Sequence, residues 1–180
     1  MESGNDYMRI AMLIPPKDFK DESVSSAKSM LVKWGVEVVI TSYSTKACRG
    51  YHGAVYNPEL NAGRIKSADF DGILLIDGPG VDSYKLYDFR PLLDTLSVFA
   101  NSGKIIAGID NAVKIIARAN VVSDLKVATP KDEETKRLVQ LYHGKVSDNG
   151  LEDQRNIITL SDPEKIGTLL EAILKKLGAK

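Results

Sequence analysis

Gly72-Ile73-Leu74-Leu75-Ile76-Asp77-Gly78-Pro79-Gly80 passes from five residues without a polar side chain into a turn of glycine and proline. A short, continuous apolar run bounded by turn residues reads as a strand buried on both faces, the kind found at the centre of a parallel sheet. Two upstream runs supply neighbours. Arg9 to Ile14 (RIAMLI) is stopped by Pro15 and Pro16, and Val36 to Ile40 (VEVVI) follows a helical stripe of Val24, Ala27, Leu31 and Trp34 within Asp21–Trp34. Gly35 stands where a helix commonly ends in a left-handed turn. These pieces predict one βαβ unit with GILLI as its parallel neighbour.

Downstream the alternation continues. Arg90–Ser102 reads as a helix with Leu92, Leu93, Leu96 and Phe99 inward, Lys104–Ile109 (KIIAGI) as a strand, and Asn111–Ala119 as the next helix. Lys126–Ala128 and Ile157–Thr159 read as short strands, and Asp132–Tyr142 as a helix whose acidic start suits the helix dipole. Ser161-Asp162-Pro163-Glu164 combines capping residues with a proline in the first turn, opening a helix that buries Ile166, Leu169, Leu170, Ile173, Leu174 and Leu177. Thr45–Ser67 lacks periodicity, contains Gly50, Gly53, Pro58 and Gly63, and reads as an irregular or hairpin excursion. Strands alternating with helices predict an α/β domain with a mainly parallel sheet.

The chain has 180 residues, which suits one domain, expected over 9–180 behind a flexible lead-in at 1–8. Lysine plus arginine equals aspartate plus glutamate, so there is no basic excess to neutralise phosphates, and nucleic-acid binding is not expected. Zero net charge also removes one barrier to self-association, and a homo-oligomer is expected. Cys48 is the single cysteine and can form no internal disulfide, which favours a reducing, cytoplasmic setting. No apolar run approaches the ~20 residues of a membrane span, so no membrane partner is expected. With one cysteine, His52 and His143, no metal-ligand spacing is present; neither metal nor cofactor is expected.

Two strand ends carry residues suited to chemistry. Asp77-Gly78-Pro79-Gly80 can bring backbone N–H groups close to a ligand as an oxyanion hole, or can serve simply as a tight connection. Gly108-Ile109-Asp110-Asn111-Ala112 has small residues two before and two after its centre, the spacing of a nucleophile elbow. Read locally, Asp110 is either the residue presented by that elbow or a helix cap.

The order of these pieces resembles the ThiJ/PfpI superfamily, relatives of the glutamine amidotransferase domain. Phe19-Lys20-Asp21 begins the similarity. Gly50, Gly53, Val55, Pro58, Glu59 and Leu60 follow the family's G-x-x-G-x-x-V-x-P-D/E-L pattern. Phe70-Asp71-Gly72 with GILLI and Gly78-Pro79-Gly80, then Ser102-Gly103-Lys104 before KIIAGI, and finally Ile157–Leu177 complete it. The resemblance implies a flavodoxin-like three-layer sandwich with helices on both sheet faces, and an assembly of several copies.

Active members of that family carry Cys-His at the elbow, where this chain has Asp110-Asn111. The family's supporting glutamate aligns with Ser23, or with Glu22 after a one-residue slip. Cys48 lies in the irregular segment and cannot replace the nucleophile. The family's thiol chemistry on peptides, amides or glyoxals is therefore not expected. A non-catalytic protein binding a small molecule at Glu22, Ser23, His52, Gly78, Pro79 and Gly80 is the first expectation. The alternative is a hydrolase-type enzyme, protease- or amidase-like, that uses Asp110 with a relocated base such as His52 or Glu22. If Asp110 faces Glu22 in a shared pocket, one of the two carboxyl pKa values is expected to rise.

Overall fold

A computed structural model describes residues 7–178. Of the lead-in expected at 1–8, residues 1–6 lie outside them, and Met8 belongs to the first strand. In chain order the first half comprises β1 (Met8–Leu13), β2 (Lys17–Phe19), α1 (Asp21–Lys33), β3 (Val36–Ser42), β4 (Cys48–Gly50), β5 (Val55–Tyr56), β6 (Leu60–Asn61), β7 (Gly72–Leu75) and α2 (Pro79–Ser83). It continues through α3 (Arg90–Asn101), β8 (Ile105–Ile109), α4 (Val113–Arg118), β9 (Lys126–Ala128), α5 (Glu133–Leu141), β10 (Lys145–Ser147), β11 (Leu151–Gln154), β12 (Ile157–Leu160) and α6 (Ile166–Leu177).

Seven strands form the main sheet in the order β11-β12-β8-β7-β1-β3-β6, parallel throughout except for the β11–β12 pair. Side-chain alternation divides the apolar runs between the two faces. Ile10, Met12, Leu74 and Ile76 pack with α1 and α6, through Val24, Leu31, Leu170 and Ile173. Ala11, Leu13, Ile73 and Leu75 pack on the other face with α3 and α4, through Leu92, Leu96, Phe99 and Ile116. Both faces are covered, which is why β7 is apolar at every position and wholly buried. The expected three-layer α/β sandwich is the observed one.

Several elements differ from expectation for identifiable reasons. The Thr45–Ser67 excursion is built partly of strands: β4 joins β2 and β5 in a small three-stranded sheet, and β6 extends the main sheet beside β3. Those strands have two or three residues, too few to display a period. Trp34 is 42% exposed; it sits at the C-cap of α1, and the chain turns at Gly35 (φ +82°) before its side chain can join the buried stripe. The helix expected over 111–119 begins instead with a 3₁₀ turn at Asp110–Ala112 and becomes α-helical at Val113. β10 and β11 are polar edge strands without an apolar signature. Among the described residues no helix is long and apolar enough to cross a membrane.

β9 and β10 form a separate parallel pair, tied to the main sheet by one buried hydrogen bond from the Ala128 N–H to Thr159 Oγ1, at 2.8 Å. Thr159→Val keeps the shape but orphans that N–H. The expected result is a loss of about 1–3 kcal/mol in urea unfolding, together with faster amide exchange at Ala128 than at the centre of β7.

Candidate functional site: a carboxylate pocket over the elbow

β1 has β3 on one side and β7 on the other, so the chain leaves it in opposite directions and opens a crevice beyond the carboxyl ends of the strands. Three strand exits meet there: Pro15–Lys20 after β1, Asp77–Gly80 after β7, and Asp110 after β8. The first two are pressed together, with the Lys20 N–H donating to the Asp77 carbonyl at 2.9 Å. A Cβ on Gly78 would lie 2.4 Å from the Asp18 carbonyl oxygen, and one on Gly80 would lie 1.9 Å from that of Lys17. Gly78 also holds φ +134°. Glycine is required at both positions by backbone contact.

The elbow keeps its strained turn. Asp110 has φ +50°, the left-handed region, which a non-glycine residue occupies at some energetic cost and aspartate tolerates better than most. The small neighbours pack closely: a Cβ on Gly108 would press on the Ile116 Cδ1 methyl, 2.7 Å away, and Ala112 is fully buried. Of the two local readings of Asp110, the structure makes it the first residue of the 3₁₀ turn, with Ile109 at the cap position, and its carboxyl meets the Asn111 N–H of that turn. The Asp110 carboxyl lines a pocket of about 580 Å³. Burial pushes its pKa above the ordinary carboxylate value, opposed by the Asn111 N–H and the Lys20 ammonium.

Asn111 closes the glycine loop. Its Oδ1 accepts from the Gly78 N–H at 3.1 Å, and its Nδ2 donates to the Gly78 carbonyl at 2.7 Å and to Asp82 Oδ2 at 3.2 Å. Behind it, Lys114 is 3% exposed and donates to Asp82 Oδ1 and, at 2.9 Å, to Glu134 Oε1. Burial alone would lower the Lys114 pKa, but these two carboxylates outweigh it and the net shift is upward. Lys114 therefore stays cationic, holding α2, α4 and the start of α5 around the loop.

The opposite rim is organised by Asp21, a residue without a role in the sequence reading. Its carboxylate accepts from the His52 and Ala54 N–H groups, each at 2.8 Å, and occupies the space beside Gly50 that a Cβ would need. Burial works against it, but those N–H groups hold Asp21 below its ordinary pKa. The turn so formed places His52 Nδ1 2.8 Å from Glu22 Oε1. Glu22 thus binds His52 rather than meeting Asp110. Its pKa is lowered by its own N–H and, against some desolvation, by the imidazole.

A second buried carboxyl that feels the Asp110 charge is Asp77. It is 1% exposed, lines the pocket, and its Oδ1 has no hydrogen-bond partner among the described residues. Burial pushes its pKa up to about 6; the Ser23 hydroxyl and Lys20 oppose the rise and the Asp110 charge adds to it. Ser23 is itself buried, its hydroxyl set against the Asp77 carboxyl, and it is not among the residues that line the pocket.

The structure therefore brings Asp110, Asn111, Glu22, His52, Gly78 and Pro79 to one pocket, and leaves Ser23 and Gly80 behind its wall. Lys20, Tyr51, Asp77 and Asp82 also line it without having been candidates. Asp77 had a readable signal, an ionisable residue closing a wholly apolar run. Cys48 is buried away from the pocket, its thiol pKa raised by burial, and His143 lies exposed in the turn after α5. Among the described residues no group of three or more His, Cys, Asp or Glu is placed to hold a metal ion.

A family model described as DJ-1/PfpI matches residues 8–176. The chain belongs to the DJ-1/PfpI family. It is 26% identical over 160 residues to the uncharacterized protein MJ0967 of Methanocaldococcus jannaschii, covering 87% of this chain and 76% of that protein. It is also 26% identical over 166 residues to the glutathione-independent glyoxalase DJR-1.2 of Caenorhabditis elegans, covering 91% and 84%. The crystal structure of a ThiJ/PfpI domain protein from Brachyspira murdochii superposes with a TM-score of 0.89 at 20% identity, over 97% of this chain and 98% of that one. DJ-1beta from Drosophila melanogaster gives 0.75 at 21% identity, over 95% and 89%. These structural likenesses establish the fold.

The raised Asp77 pKa has a definite sign in stability. The native state binds this proton more tightly than the unfolded chain, so ionising Asp77 destabilises the fold as pH rises from its ordinary value toward 6. A shift of that size corresponds to about 3 kcal/mol, fully expressed above about pH 7. Asp77→Asn is expected to raise the thermal midpoint relative to the parent at about pH 8 and to lose that advantage near about pH 4. An equal offset at both pH values would show that Asp77 does not titrate as described.

Proposed function

We propose that this DJ-1/PfpI-family chain binds a small molecule in the pocket over Asp110 and performs none of the thiol chemistry that a cysteine at the elbow supports. The observation that carries this reading is the Asn111–Gly78 pair. The Gly78 N–H, the loop donor suited to a developing oxyanion, is already taken by Asn111 Oδ1. The nucleophile position holds a carboxyl, a far weaker nucleophile than a thiolate, and burial raises its pKa above the ordinary value. A pocket that keeps its strained elbow and close-packed glycines, while its donor is satisfied internally, suits recognition better than acyl transfer.

A reducing, cytoplasmic setting fits the free, buried Cys48. Self-association fits the zero net charge and the exposed Tyr43, Tyr51 and Val55 on the excursion side.

One observation favours a second reading, a hydrolase in which Asp110 is the nucleophile. The Glu22–His52 pair, at 2.8 Å, opens onto the same pocket and has the form of an oriented general base. Asp110 Oδ would attack an ester or amide carbonyl, the alcohol or amine would leave with a proton from the protonated His52 imidazole, and water activated by the now neutral His52 would hydrolyse the resulting mixed anhydride, freeing the acid and Asp110.

Glyoxal consumption and hydrolysis of peptide, amide and ester substrates separate the two. The binding reading expects no turnover above buffer and no change on Asp110→Asn. Turnover that Asp110→Asn and His52→Ala each reduce by about a hundredfold or more would establish the hydrolase instead.

A further inference from the structure

We propose that Asn149-Gly150 is a site of spontaneous modification, where the Asn149 carboxamide is converted to a carboxyl and the turn between β10 and β11 loosens as the protein ages. Neither residue lines the pocket over Asp110, and the site does not depend on what that pocket binds.

Asn149-Gly150 is the one Asn-Gly pair in the chain. Asn149 is exposed, on the bend that joins two edge strands. At Gly78 and Gly80 glycine is demanded by contacts that leave no room for a Cβ. Gly150 answers to no such demand. Its φ is not in the left-handed region, and a Cβ built on it would meet nothing within 4 Å. What glycine does supply here is an unshielded peptide nitrogen directly after a carboxamide. The residue is held on its carbonyl side, which accepts from the Ser161 N–H at 2.9 Å and from the Ser161 hydroxyl at 3.4 Å.

The Gly150 peptide nitrogen attacks Asn149 Cγ. The N–Cγ bond forms, the Cγ–Nδ2 bond breaks, and the amide group leaves as ammonia with the peptide proton. Water then opens the cyclic imide at either carbonyl, giving aspartate or its β-linked isomer. The balance is water in and ammonia out, and the turn gains a negative charge. The surroundings decide what that charge does. Asn149 Nδ2 donates at 3.0 Å to Glu152 Oε2, which also accepts from the Ser147 hydroxyl. Glu152 is buried. Conversion turns its donor into a second carboxylate, so an attraction across the turn becomes a repulsion at a desolvated site. The β-linked isomer also lengthens the main chain between two fixed points, the Asn149 N–H on Ser147 Oγ and the Gly150 carbonyl on Ser161. Both products weaken the tie between β10 and β11.

The experiment is incubation of the full chain in mildly alkaline buffer, sampled over time by peptide mass spectrometry, with isoaspartate counted by enzymatic carboxyl methylation. The expected result is conversion at Asn149 well ahead of Asn101, an exposed asparagine followed by serine at the end of α3. Gly150→Ala has room for its methyl and should keep the parent's thermal midpoint, while slowing conversion by about tenfold or more. Asn149→Asp reproduces the aspartyl product and should lower the midpoint, with amide shifts at Ser147, Glu152 and Ser161. The same substitution in a Glu152→Gln background should lower it much less, measured against Glu152→Gln alone. Conversion at Asn149 no faster than at Asn101, or undiminished in Gly150→Ala, would overturn the site. An Asn149→Asp midpoint equal to the parent's, or a loss that Glu152→Gln does not relieve, would overturn the loosening.

Discussion

Asn111 and Gly78 exchange two hydrogen bonds, side-chain oxygen to peptide N–H and side-chain nitrogen to peptide carbonyl. This reciprocal pair joins the exits of two neighbouring central strands, and much else at the site follows from it. It fixes the glycine loop against Lys17–Lys20, consumes the donor that an oxyanion would use, and turns Nδ2 toward Asp82, through which Lys114 is recruited. An imidazole at position 111 could not make the same two-way contact with one peptide, since a neutral ring presents a donor and an acceptor on opposite edges. Asn111 thus acts as a brace between the two strand exits.

The central sheet was legible because buried parallel strands leave uninterrupted apolar runs, as in GILLI and KIIAGI, and because glycine and proline punctuate their ends. The elbow was legible from the small residues at 108 and 112, the first of which packs beside the Ile116 methyl. The small sheet of β2, β4 and β5 was not, since its strands are too short for a period and its partners are distant in sequence. The rim was hidden for a related reason. Asp21 binds backbone N–H groups 31 and 33 residues away, and nothing in a local pattern marks such a contact. Asp77 was visible as part of a turn but not as an acid, because burial, which gives it its character, is a property of the folded neighbourhood. Lys114 was submerged in the apolar stretch Val113–Ala117, and only its three surrounding carboxylates show why a lysine sits there.

Charge is distributed around the pocket in layers. The outer charges are paired, Glu22 with His52 on one rim and Asp82 with Lys114 on the other. The inner ones, Asp77 and Asp110, are not. Stability is lost at that point, as is common where a site is arranged for something outside the chain.

The Asp21 contact has a consequence for how this protein can change. Both of its bonds reach main-chain N–H groups, and the loop also needs Gly50 to lack a side chain, but nothing in the arrangement depends on the side chain at position 52. The turn is therefore a socket whose shape is set by its frame. Different residues can be mounted at 52, facing the same cavity at the same height, without rebuilding the loop. Within one fold, such a position lets selection sample new chemistries at the mouth of the site while the sheet beneath it stays as it is.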